Sequence, residues 1–138
     1  MPHADAKFSF PENKRLKSSQ RIRFIVAQRK SIAKYPIKCF YQTDFCQTSG
    51  GNIRVAMLVS KRKFRHAVDR NRVKRLFRGA FRLNYNILTI PNNLNLDICW
   101  MFVGQELPEF STVSKVSIEL FKTLQTIINQ NISHEKNN

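Results

Sequence analysis

The stretch "IRVAMLVSKRKFRHAVDRNRVKRLFRGAFRLN", residues 53–84, changes its period midway, and that change decides the fold. Up to Lys61 it alternates, with Ile53, Val55, Met57 and Val59 on one side and Arg54, Ala56, Leu58 and Ser60 on the other, the period of a strand. Both sides are mostly apolar, so this strand is expected to lie centrally in its sheet. From Ala67 to Leu83 or beyond the period becomes helical. At about 100° per residue, Leu76, Phe77, Ala80 and Phe81 fall within about 80° of Val73, while Asn71, Lys74, Arg75, Arg78 and Arg82 cluster on the opposite side. The apolar face suits packing on the sheet, and the other presents a basic row about 16 Å long at 1.5 Å per residue. Arg70 and Arg72 flank that row.

Working outward, "YPIKCFYQT" (35–43) alternates Ile37, Cys39 and Tyr41 with Lys38, Phe40 and Gln42. It reads as a strand with one buried face, Phe40 lying on the other. Ahead of it, Ile22, Ile25 and Val26 follow helical spacing behind Ser18 or Ser19, either of which suits an N-cap, so a short basic helix is expected. "QTSGGN" (47–52) is a turn and "IPNNLN" (90–95) a breaker; "LDICWMFV" (96–103) reads as a strand buried on both faces. "GQELPEF" ends it, and Val113, Val116, Leu120, Leu124, Ile127 and Ile128 stripe an amphipathic helix from Ser111 to about Asn131. Residues 1–14 read as a flexible arm, 15–132 as one domain and 133–138 as a flexible tail. The order of helix, two or three strands, basic helix, strand and helix implies an α+β two-layer sandwich.

The 138 residues carry 24 Lys and Arg against nine Asp and Glu, a formal charge of +15. Of the basic residues, 21 lie at or before Arg82, opposed there by only Asp5, Glu12, Asp44 and Asp69. The first part is built to meet a polyanion; the remainder, slightly acidic, looks like scaffold. A solvated helix face would interleave acids at i+4. Here Asp69 is the single acid among ten cations from Lys61 to Arg82, so the helix repels itself and gains most from a phosphate backbone. A membrane surface or an acidic protein is the other class of partner. Arginine predominates in the helix, and its planar fork suits phosphate. With no zinc-finger spacing, no zipper and no tight helix-turn-helix partner, RNA is favoured over DNA. Phe40 is the aromatic best placed to stack on unpaired bases, or else an ordinary core residue.

Catalysis by the chain itself is not expected. The acids are scattered without a metal-binding pattern, no glycine-rich phosphate loop is present, and His66 stands among cations that disfavour its protonated form. Cys39, Cys46 and Cys99 are widely spaced without a CxxC pair, which fits a reduced, cytoplasmic setting and no bound metal. The longest apolar run, Ile98–Val103, has six residues, far short of a membrane span, and the amino terminus lacks an export signal.

"VSKRKFRHAVDRNRVKRLFRGAFR" (59–82) closely resembles the signature of the bacterial ribonuclease P protein component, an Arg-Asn-Arg helix following a Val-Ser-Lys strand. The resemblance runs from "RLKSSQRIRFIV" (15–26) to the last helix near Ile128. It implies an α-β-β-β-α-β-α sandwich like that of some ribosomal proteins, with a left-handed βαβ crossover through the basic helix against the usual rule. It further implies a subunit that binds a catalytic RNA, which uses Mg²⁺ to remove the 5′ leader from precursor tRNA. By motif match Arg70, Asn71, Arg72, Lys74, Arg75 and Arg78, extended by Arg82 on the same face, would contact RNA, with Ser60, Lys61, Arg62, Ala67 and Val68 completing the loop ahead. Ile22, Val26 and Phe40 would form the leader cleft. The chain departs from the family in lacking aromatics at Ile22 and Val26, and in "KRKFRHAV" (61–68), which lacks the usual glycine and is one residue longer. A structural ribosomal or other RNA-packing protein is the alternative.

Overall fold

A computed structural model describes residues 14–45 and 51–136, with side chains as far as Asn131. The arm read over residues 1–14 therefore lies, except for Lys14, outside the described residues. The elements run α1 (Ser19–Ala27), β1 (Ser31–Lys34), β2 (Ile37–Phe45), β3 (Ile53–Leu58), α2 (Ala67–Asn84), a 3-10 turn (Tyr85–Ile87), β4 (Leu94–Phe102) and α3 (Phe110–Lys136). This is the expected α-β-β-β-α-β-α order.

Local chemistry explains the helix boundaries. Ser18 caps α1, its hydroxyl accepting from the Arg21 amide at 3.2 Å. Arg29, at a left-handed φ of 61°, turns the chain out of α1 toward β1. In α2, Asp69 stands in the first turn and Arg82 in the last, both favourable to the helix dipole. α3 continues to Lys136 instead of ending near Asn131. Its apolar stripe stops at Ile128, but no proline or glycine follows to break the helix.

The four strands lie in the order β1-β2-β4-β3. β1 and β2 pair antiparallel, as do β2 and β4, whereas β3 is parallel to β4, so α2 is the crossover between neighbouring parallel strands. The central strands are thus β2 and β4, and the expectation of a central β3 is overturned: it is an edge. Apolarity on both of its sides reflects cover above and below, which an edge strand can also have. Ile53 and Val55 face the main core, while Ala56 faces a second cluster with Leu16, Ile25, Phe40 and Cys99. The outer edge of β3 is itself partly covered, because Arg15 bridges Val55 in parallel and the Leu16 amide donates to the Val55 carbonyl at 3.0 Å.

The main core lies between the sheet and the α2–α3 pair. Phe77 and Phe81 of α2 meet Trp100 of β4 edge to face at 5.9 and 5.5 Å, and Phe121 of α3 closes the group. Gly79 faces α3, where a Cβ would stand 3.2 Å from the Phe110 ring and the ring would have to give by a few tenths of an ångström. On the opposite face of the sheet α1 is the only helix among the described residues, and Ile25 is its one fully buried side chain.

Candidate nucleic-acid interface

The two faces read from the period of α2 are the two faces it has. Val73, Phe77, Ala80 and Phe81 are buried, whereas Asn71, Arg72, Arg75 and Arg78 are exposed and Lys74 and Arg82 half-buried. The apolar contact holds the helix rigidly on the sheet, so the basic row is presented at fixed spacing.

The loop ahead of α2 is ordered by three contacts. Two residues past the end of β3, Ser60 opens a turn, its hydroxyl accepting from the Arg62 amide at 3.0 Å and its carbonyl from the Lys63 amide at 3.1 Å. Phe64 stacks on Phe102 at 5.6 Å. Arg70 turns back and donates to the Phe64 and Arg65 carbonyls at 2.8 and 3.0 Å. Ser60, Lys61, Arg62, Ala67 and Val68 are exposed around this loop. A loop without glycine is therefore pinned by side chains, and Arg70 faces the loop where the resemblance implied an RNA contact.

Beside the basic row runs a groove of about 280 Å³ along the outer edge of β3. Four cations line it, Arg15 and Lys17 from the amino-terminal segment and Lys74 and Arg78 from α2, over an apolar floor that includes Ile22, Ala56 and Leu58. Arg78 is held below the usual arginine range by partial burial and by the charges of Arg15 and Arg75. Its neighbours repel it, and an anion in the groove would relieve that repulsion.

The three residues assigned to a cleft do share the α1 face of the sheet, but they are not equivalent. Ile22 and Val26 are half-buried and border the second cluster, whereas Phe40 is only 5% exposed and lies within it. Phe40 is therefore a floor residue and not an open stacking platform. Its alternation did put it opposite the main core, but α1 covers that face. Open to solvent around it are Leu58 and Met101, both half-buried, and Lys38, whose Nζ stands 5.2 Å from the Phe40 ring. The exposed aromatic of this region is Phe24, with the Arg21 guanidinium 5.4 Å from its ring.

Not every cation faces outward. Asp97, 1% exposed on β4, accepts from Arg54 Nε and a terminal nitrogen, both at 2.9 Å, and from Arg21 Nε at 3.0 Å. Arg21 also bonds Asp44 on β2. Burial opposes the Arg21 charge, but these carboxylates outweigh it and raise its pKa. Cys39 and Cys99 are free thiols, both pushed up to about 12 by burial; Cys46 lies outside the described residues. No three His, Cys, Asp or Glu side chains gather into a metal-binding group among the described residues. No helix among them is long and apolar enough to cross a membrane.

Arg15, Lys17, Lys38, Leu58 and Met101 join the site only through tertiary structure. The two amino-terminal cations arrive through the bridge to Val55, and the other three share one face by strand register, Lys38 opposite Met101 and Met101 opposite Leu58.

Comparison with known proteins agrees with this fold. The sequence matches the Ribonuclease P family model over residues 10–124. It is 37% identical over 116 residues to the ribonuclease P protein component of Porphyromonas gingivalis W83, covering 78% of this chain and 80% of the relative. A shorter match, 57% identical over 37 residues, is to the component from Chlorobaculum tepidum, 27% of this chain and 24% of that one. Among solved structures, the RNase P protein from Thermotoga maritima superimposes with a TM-score of 0.62 at 22% identity, covering 79% of this chain and 96% of that one. The Staphylococcus aureus RNase P protein gives 0.60 at 20% identity, with 81% and 95% covered. These structural likenesses establish the shared fold.

Proposed function

The chain belongs to the ribonuclease P protein family, and on that premise we propose that it assists a catalytic RNA in removing the 5′ leader from precursor tRNA. The observation that carries this reading is the row of cations on α2, continuous through Lys74 and Arg78 with the groove along β3. Such a surface supplies what an RNA backbone needs, fixed positive charge without interleaved acid.

In this reading Asn71, Arg72, Arg75 and Arg78 hold the catalytic RNA, together with Lys74, Arg82 and the Ser60–Arg62 turn. The leader lies single-stranded across the α1 face of the sheet, its bases against Ile22, Val26, Leu58 and Met101 and its phosphates toward Lys38, Arg15 and Lys17. Aliphatic side chains and Met give apolar contact there instead of ring stacking. The protein neutralises phosphates and holds the leader in position, which reduces the entropy cost of aligning the scissile bond. The hydrolytic chemistry would come from Mg²⁺ held by the RNA and not by this chain, which would activate water and offset charge on the leaving oxygen. Asp44 and Asp97 do not fit a protein-held ion, being bonded to arginines. The setting is the cytoplasm, where precursor tRNA is processed.

The test is cleavage of precursor tRNA at low Mg²⁺ with the catalytic RNA and protein together and separately. The protein should lower the Mg²⁺ requirement of the RNA and cleave nothing by itself. Cleavage by the protein alone, or no change in the Mg²⁺ requirement, refutes the proposal.

A further inference from the structure

The nine residues of α1 are too few to hold a helix by themselves, and their contact with the sheet is narrow. Ile25 alone is fully buried, in the cluster with Leu16, Phe40, Ala56 and Cys99. One turn earlier on the same stripe stands Arg21, about 40° from Ile25 around the helix, and it is the polar half of the attachment. Its Nε donates to Asp97 at 3.0 Å and a terminal nitrogen bonds Asp44, so one guanidinium ties α1 to β4 and β2. Asp97 is itself held by Arg54 of β3 through two bonds of 2.9 Å, which fixes the carboxylate before Arg21 reaches it. Ile22 and Val26 lie about 100° further around α1 than Arg21 and Ile25, on the side that borders the cleft. With Ile25 the one fully buried side chain of α1, the tether helps to set how α1 is rolled, and so where the half-buried Ile22 and Val26 point.

We propose that Arg21 is a positioning residue for the leader, acting through α1, and not one of the cations that contact RNA. The proposal rests on the reading of the α1 face as the leader cleft. It also explains a paradox of charge. Arg21 stands in the basic first part of the sequence, yet two carboxylates neutralise it, while Lys74 and Arg78 pair with no carboxylate among the described residues. A guanidinium bridges two carboxylates with fixed geometry; an ammonium is a point charge that satisfies one well. Substitution at Arg21 leaves Asp97 paired with Arg54, so the buried carboxylate keeps a cation.

The experiment uses the holoenzyme reconstituted from full-length protein and its catalytic RNA, with Arg21→Gln and Arg21→Lys beside the wild type. Two substrates are cleaved, a precursor tRNA with a leader of several nucleotides and one with a single-nucleotide leader. For the longer leader, KM of Arg21→Gln should rise about threefold to tenfold with kcat unchanged, the pattern of lost uniform binding. With the single-nucleotide leader the variant should match the wild type. Arg21→Lys should recover part of the loss. Affinity for the catalytic RNA, and the slope of leader binding against salt, should stay as in the wild type, because no phosphate contact has been removed. A flatter salt slope identifies Arg21 as a direct contact and overturns the proposal, as does an equal loss with both substrates or no loss with either. A wild-type holoenzyme indifferent to leader length overturns the leader reading itself, whereas a sensitive wild type with an unaffected variant overturns only the role of Arg21.

Discussion

Replacing Arg78 by methionine should move RNA affinity and protein stability independently, because the residue is unfavourable to its own fold and favourable to the complex. Methionine keeps most of the apolar stem and removes the charge. In the free protein, partial burial and the charges of Arg15 and Arg75 already disfavour the guanidinium, so the variant should be as stable as the wild type or more stable by a few tenths of a kcal/mol. In the complex the same change removes a charge-assisted contact worth about 1.5–3 kcal/mol, reduced to about 1–2 kcal/mol because Arg78 remains partly solvated. Affinity for the catalytic RNA should therefore fall about 5- to 30-fold. The slope of log K against log salt should become less steep by about 0.7 to 0.9, one phosphate's share. Filter binding across a KCl series, with thermal melts of the free protein, measures both. Lys122→Met, on the exposed side of α3, should leave slope and affinity unchanged. If Arg78→Met keeps the wild-type slope, or loses affinity only in step with a lower Tm, Arg78 is not a phosphate contact and the reasoning fails.

Phe77→Ala should destabilise the fold by about 3–5 kcal/mol, since the ring is fully buried against Trp100 and Phe102; urea unfolding followed by Trp100 fluorescence should show it, and a loss below about 1 kcal/mol would contradict the packing. Gly79→Ala should stabilise modestly, by less than the ~1 kcal/mol helix-propensity gain, because the Phe110 ring that the new Cβ meets at 3.2 Å is itself 41% exposed and free to shift; a lower midpoint would show that Phe110 is held rigidly. Cys39 and Cys99, raised from 9.0 to about 12 by burial, should resist alkylation at pH 8 until the protein is unfolded, as read by peptide mass spectrometry. Because the unfolded thiols ionise first, the stability that they contribute is fully present below about pH 9 and declines from there toward pH 12. Replacing both by alanine should lessen the alkaline loss, and an unchanged pH profile would refute the linkage.

Some of the site was legible because it lies within one element. The division of α2 into Val73, Phe77 and Ala80 against Asn71, Arg75 and Arg78 is a consequence of helical period, and a helix presents its faces wherever it packs. Gly79 was visible as an anomaly but not interpretable, because the Phe110 ring that covers it comes from a residue 31 positions later. Arg70 shows the opposite limit: period assigned it to the edge of the basic row, but its reach to the Phe64 and Arg65 carbonyls depends on the loop's path. Phe40 illustrates a third case. Alternation correctly separated it from Cys39, but a strand's period does not reveal whether its second face is open or covered.

The amino-acid sequence by itself determined the order of the elements other than β1, the two faces of α2, the excess of positive charge and its concentration before Leu83, since each depends on local periodicity or on counting. Tertiary structure alone decided that β3 is an edge, that Arg15 and Lys17 stand across a groove from Lys74 and Arg78, and that Asp97 takes Arg21 and Arg54 out of the outward-facing charge. The physical reason is that hydrogen-bond partners in a sheet, and charges that meet across it, come from residues far apart in the chain. Hydrophobic pattern reports whether a side chain is covered, and the chain's path through space decides what covers it.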